Sequence, residues 1–335
     1  MRIMVLAWDI PATTNMPGSP RLFNLCKGLS QRHKLALFAF SSSGERYQNF
    51  LADPMVKGVF EEIVILPGPP VPTWWRKQIH RLHRGVHFAT RHRSPEYHKE
   101  QCERICNRYV EGEFDIIYAD GLATAQYVND SKLQCPAIID LHDSLTLLNA
   151  RMVQAERNRL HKLMLRVETR SVGRLEKALS RRFGAIITNS KVDEAYLRSL
   201  DPSGKFVTIG NGVDSEFFTP GDKRSDVANL VFTGVMNYGP NEDAVVYFCD
   251  AILPLIREAH PEVQFWVVGK DPTDKVKVLS RRSGVHITGG GPRRAPLFGL
   301  RRYIRVSAAL WCRSEKQNSS RLGYAQSSCG DTPQS

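Results

Sequence analysis

The sequence predicts an α/β protein of two parallel-sheet units, and three observations predict it. Short β-branched and aliphatic runs alternate with helix-period stretches, the pattern of parallel strands covered on both faces. That alternation pauses near residues 210–220 and restarts after Pro220. The length, 335 residues, is that of two ordinary domains rather than one.

Arg2–Ala7 reads as the first buried strand, stopped by Pro11 and a polar loop through Gly18. An amphipathic helix follows over Pro20–Arg32, with Leu22, Leu25 and Leu29 at helical spacing. Leu35–Phe40, Ile63–Leu66, Phe114–Ala119, Ala137–Asp140 and Ala185–Thr188 are further strands, with a long charged helix over about Leu148–Arg182. The second unit opens with the strand Asn229–Thr233, ended by Gly234, and a helix over Asn241–Ala259. Strands Val263–Val268 and Val285–His-Ile-Thr288 end in Gly269 and Gly289. Ligands of such Rossmann-like sheets sit beyond the strands' carboxyl ends, at helix N-termini. A cleft between two of them suits a phosphate-bearing donor and an acceptor.

Apolar residues are 42% and charged residues 24% of the chain, a globular composition that excludes a disordered or fibrous protein. No apolar run approaches the roughly 18 residues that cross a bilayer, and Asp9 interrupts the short run Ile3–Trp8, so a cytoplasmic protein is expected. Cys26, Cys102, Cys106, Cys135, Cys249, Cys312 and Cys329 contain no CxxC pair, which argues against a disulfide framework or a zinc site. The formal charge of +12 is not a nucleic-acid signal, because half of it falls in residues 291–335, where eight Lys/Arg face Glu315 and Asp331. A second basic focus, Trp74–Arg93, is interleaved with aromatics and suits peripheral contact with an anionic membrane. His80, His83 and His87 within it lack a neighbouring carboxylate or thiol, so no metal site is expected.

Four motifs occur in order. Ile209-Gly-Asn-Gly-Val-Asp-Ser-Glu-Phe-Phe-Thr-Pro220 is similar to P-N-G-V-D-x-x-x-F-x-P, with Gly210 for the usual Pro. Leu230–Ala244 is similar to F-T-G-x-M-x-Y-x-P-N-x-D-A, and Phe265–Gly269 and His286–Gly289 fit the next two strands. Together they resemble a retaining GT-B glycosyltransferase of glycosyltransferase family 4, group 1. The second motif is that of the subgroup serving bacterial exopolysaccharide assembly with the exosortase/PEP-CTERM system. The resemblance covers about residues 1–290.

It implies transfer of a sugar from a nucleotide-sugar to an acceptor hydroxyl with retention, with no cofactor beyond the donor substrate and no obligatory metal. The diphosphate leaving group needs N–H donors and cations. Gly234 fits the donor-phosphate loop, since a residue without Cβ lets backbone approach phosphate. The family's Arg and Lys after this glycine are Met236 and Asn237 here, so Asn237, Gly269 and Lys270 complete the donor set. His142, after the strand Ala137–Asp140, matches a family histidine that hydrogen-bonds the transferred sugar, with Asp143 beside it. Asp143 and Ser144 are equally good N-caps for the next helix. Gly18 belongs to the acceptor-side loop, and Asn211 and Gly212 to the interdomain hinge.

Past Gly290 the periodicity stops, and the family's V-P-D-V-R-P-Y and G-x-K-N-K-x-L-E-A-x-A-M are missing. Codons compatible with Gly291 onward, read one base late, permit V-P-D-V-R-P-Y-L-A-S-A-D. Glu315–Ser319 then permits K-N-K-I-L and Arg321–Tyr324 permits A-W-A-M. The expectation is a frameshift near Gly290, giving domains 1–210 (acceptor), 211–290 (partial donor) and 291–335 (a non-native tail), with Val263–Val268 near an unpaired sheet edge. The expected activity is transfer to a glycan or lipid-linked acceptor in exopolysaccharide biosynthesis, impaired by the truncation. A GT-B nucleotide-sugar epimerase, which would release free epimerised donor, and a non-catalytic scaffold, which would bind no donor, are the alternatives.

Overall fold

The computed structural model of the chain describes residues 1–13, 16, 19–41, 44–70, 90, 94–131, 133–156, 158–212, 229–289 and 303–306. Gly18, and Trp74–Arg93 apart from Thr90, lie outside them. The chain separates into two compact units, Met1–Val213 and Asp214–Ser335.

Unit 1 holds, among the described residues, a seven-stranded parallel sheet of order β3-β2-β1-β4-β5-β6-β7. Its strands are β1 (Arg2–Ala7), β2 (Lys34–Ser41), β3 (Glu62–Pro67), β4 (Ile116–Asp120), β5 (Ala137–His142), β6 (Ala185–Thr188) and β7 (Phe206–Thr208). Its helices are α1 (Arg21–Ser30), α2 (Gly44–Ala52), α3 (Pro95–Glu111), α4 (Leu122–Asp130), α5 (Leu145–Ala155), α6 (Arg159–Ala178) and α7 (Lys191–Leu200). Alternate residues of the central strands enter two cores: Met4, Leu6, Phe38 and Phe40 join one, Val5, Ala7, Leu37 and Ala39 the other. That division is the period-2 signature of a sheet buried on both faces.

The single helix expected over 148–182 is two. Glu156 accepts from the Asn158 N–H at 2.7 Å, and Asn158 caps α6 by accepting from the His161 N–H at 3.1 Å. A capping asparagine ends one helix and starts the next.

Unit 2 has strands β8 (Asn229–Thr233), β9 (Gln264–Val268), β10 (Val285–Gly289) and β11 (Tyr303–Val306), in the parallel order β10-β9-β8-β11. Its helices are α8 (Gly239–Tyr247), α9 (Leu253–Ala259) and α10 (Asp274–Val278). A π-turn over Phe248–Ile252 interrupts the helix expected across 241–259. Pro254, at the start of α9, has no N–H to continue the ladder and its ring displaces the preceding turn. One expectation is corrected here. β11 lies in the stretch where the periodicity was expected to stop, its Tyr-Ile-Arg-Val run having strand-forming residue types. β9 pairs with β8 on one side and with β10 on the other, so among the described residues it lies one strand in from the β10 edge. Among the described residues no helix is long and apolar enough to cross a membrane.

Candidate functional site

In unit 1 the carboxyl ends of β4 and β5 carry a linked set of polar side chains. Asp140, fully buried, pairs in register with Asp120 on β4. Its carboxylate receives Arg21 Nε at 3.0 Å and Nη2 at 3.3 Å, the Tyr118 hydroxyl at 2.8 Å, and the His142 N–H at 3.3 Å. A buried charge persists only when paired and hydrogen-bonded in this way. Arg21 also donates from Nη1 to Asn211 Oδ1 at 3.0 Å, so the end of unit 1 is tied to its first helix. Burial, and then the charge of Asp140, push the Tyr118 phenol up, so it stays a donor.

Arg21 was not singled out in the sequence, yet a signal was there. It opens α1, whose first turn has no acidic residue, where the helix dipole disfavours a cation. A cation in the wrong place locally points to a carboxylate elsewhere in the fold.

His142 follows a register shift between Asp140 and itself against β6, and takes φ +66°, a region side chains rarely adopt. Asn189 donates to its carbonyl at 2.8 Å. Its Nε2 meets Asp120 Oδ1 at 2.7 Å, and among the described residues Nδ1 has no partner. Burial pulls the imidazole pKa down, but the hydrogen bond and charge of Asp120, with Asp140, outweigh it and the net shift is upward. With Nε2–H given to Asp120, the neutral ring presents an acceptor at Nδ1 and the charged ring a donor.

Asp143 is exposed and engages no described residue; Asp120, 22 positions upstream, is the carboxylate on His142. Ser144 is the cap of α5, accepting from the Leu147 N–H at 3.2 Å. Buried Glu176 accepts from the Ser144 hydroxyl at 2.9 Å and the Leu145 N–H at 2.7 Å, and Asp193 takes the Ser144 N–H at 2.9 Å. Burial pushes the Glu176 carboxyl up, against these hydrogen bonds. Gly212 is exposed beside Asn211.

In unit 2 three strands end in glycines 234, 269 and 289. A Cβ on Gly269 would sit 1.7 Å from the Gly234 carbonyl oxygen, so no other residue fits. One on Gly234 would meet the Asn241 amide at 2.7 Å. The Met236 N–H donates to the Lys270 carbonyl at 2.9 Å, joining the loops after β8 and β9. Met236 is fully buried in the core, whereas Asn237 and Lys270 are exposed. The capping residue of α8, Tyr238, makes no side-chain cap, but its carbonyl accepts from the Asn241 N–H at 2.9 Å and the Glu242 N–H at 3.1 Å, and Pro240 has no N–H. Among the described residues no group of three His, Cys, Asp or Glu is placed to hold a metal.

The Glycosyltransferase Family 4 profile matches residues 20–217, and the Glycosyl transferases group 1 profile matches residues 228–310. No curated protein matches the chain. Among solved structures, a sucrose-phosphate synthase from Thermosynechococcus elongatus is similar with TM-score 0.58 and 14% identity, over 86% of this chain and 70% of that one. The N-terminal domain of a Candida albicans trehalose-6-phosphate phosphatase gives 0.53 and 11%, over 88% and 73%. An E. coli trehalose-6-phosphate structure bound with UDP-2-fluoro glucose gives 0.53 and 9%, over 89% and 75%. These likenesses show the GT-B fold, and the profile spanning most of unit 1 shows the family: this chain belongs to glycosyltransferase family 4.

Proposed function

We propose that the chain moves a sugar from a nucleoside-diphosphate sugar to a hydroxyl of a glycan or lipid-linked acceptor, with retention at the anomeric carbon, in bacterial exopolysaccharide assembly of the exosortase/PEP-CTERM type. The observation that carries this is the Asp120–His142 pair at the carboxyl edge of a parallel sheet, with the imidazole Nδ1 unclaimed by any described residue. Asp120 fixes the ring, and Nδ1 bonds a hydroxyl of the transferred sugar. Gly234 and Gly269 keep side chains away from the loops that receive the diphosphate, while Asn237 and Lys270 are exposed polar groups there. The UDP-2-fluoro glucose held by the E. coli relative supports a donor of that class. Asn211 and Gly212 start the hinge, and Gly18 belongs to the acceptor-side loop. Trp74–Arg93 makes peripheral contact with anionic membrane on the cytoplasmic side.

Residues 291–335 are read as out of frame and the chain as an impaired transferase, on the missing family motifs and the codon reading. The group 1 match reaches residue 310, so resequencing across codons 285–295 is the direct check. Transfer of labelled sugar to acceptor, with NMR of the product anomer, tests the function in this chain and in the frame-restored one. His142→Ala in the active form lowers turnover about a hundredfold. An unchanged rate, or release of free epimerised donor, refutes the assignment.

A further inference from the structure

Helix α6 has one face that the fold leaves unused. Leu165, Val172 and Glu176 form its buried side. On the opposite side Leu160, Leu163 and Val167 are 70%, 55% and 52% exposed, spaced as one stripe over two turns. Arg159, Arg166, Arg170 and Arg174 border that stripe and are all exposed. The only carboxylates of the helix are off this face: Glu176 is buried and Glu168 half-buried. The ion pair on α6 joins His161 to Glu156, and none of the four arginines forms an ion pair with another described residue.

Exposed aliphatic residues ringed by unpaired cations need a partner that is apolar beneath a negative surface. We propose that this face of α6 docks on anionic lipid headgroups, with Leu160, Leu163 and Val167 at the headgroup–acyl boundary and the arginines on lipid phosphates. A second copy of the chain fits less well, because two such faces brought together set arginine against arginine. The segment is separate in sequence from Trp74–Arg93, and its docking does not depend on the transfer reaction.

The test is co-sedimentation of the full chain with vesicles of phosphatidylcholine alone and of phosphatidylcholine with phosphatidylglycerol, at low and high salt. Binding is expected only to the anionic vesicles and falls with salt. Replacing the four arginines by Gln lowers partitioning about fivefold for each charge removed. Leu160→Ser, Leu163→Ser and Val167→Ser together abolish the salt-resistant part. All these positions are exposed, so the variants keep the wild-type circular dichroism. Equal binding by both variants and the wild type overturns the proposal, as does equal binding to neutral vesicles. Loss confined to Arg76→Gln, Lys77→Gln, Arg81→Gln and Arg84→Gln places the contact at Trp74–Arg93 and overturns it too. Sedimentation velocity showing a dimer that the serine variant dissociates assigns the face to a second copy instead.

Discussion

In the seven-stranded sheet the central strands β1 and β2 are buried almost end to end, with a core on each face. In the four-stranded sheet β9 alternates: Phe265 and Val267 are buried, while Gln264, Trp266 and Val268 are half-buried, and the described residues form one core cluster. The difference decides what each unit tolerates at its candidate site. A sheet enclosed on both sides can hold Arg21 and Asp140 inside and turn a charge pair into a fixed scaffold for His142. The described residues of unit 2 hold its loops by backbone contact, glycine against carbonyl. Unit 1 is therefore expected to fail through electrostatics and unit 2 through sterics.

The largest effect tests that contrast. Arg21→Ala leaves Asp140 as a buried, unbalanced carboxylate and costs unit 1 about 3–5 kcal/mol. Urea unfolding followed by hydrogen exchange should show the loss in unit 1 with unit 2 unchanged; an equal loss in both would dissolve the distinction. Next, Gly269→Ala forces β8 and β9 apart and costs unit 2 about 2–3 kcal/mol, read in the same experiment as faster exchange in β8 and β9 alone.

Asp120→Asn is smaller and depends on pH. The folded His142 pKa is raised, so the pair stabilises unit 1 below the free-imidazole pKa of about 6.5 and the gain is lost as pH rises through the folded value. The variant should lower the His142 pKa in NMR titration and destabilise more in acid than in alkali. A uniform loss across pH would deny the coupling. The smallest change runs the other way. Gly28 sits within α1 with open space around it, so Gly28→Ala should stabilise unit 1 by about 0.5–1 kcal/mol in thermal unfolding.

Much of this was legible beforehand, for physical reasons. Buried parallel strands are continuous apolar runs, so Met4–Ala7 and Leu35–Phe40 announce themselves, and a polar His142 directly after such a run stands out. The glycines that end β8, β9 and β10 were visible in the same way. Other features were not. β7 and β11 are too short for a period, and the Asn158 cap lies inside a charged, helix-compatible stretch. Asp120 is joined to His142 by strand register across a helix, which neighbouring residues do not encode.

The 1.7 Å approach at Gly269 bears on how mutational scans of this chain should be interpreted. Every single-base change in a glycine codon that replaces glycine by another amino acid adds at least one carbon, and position 269 has room for none. A scan will find it intolerant whether or not a donor ever reaches the loop, so its intolerance reports the spacing of two strands. Exposed Asn237 and Lys270 carry no such packing demand, and selection acting on them separates the fitness cost of misfolding from that of lost chemistry.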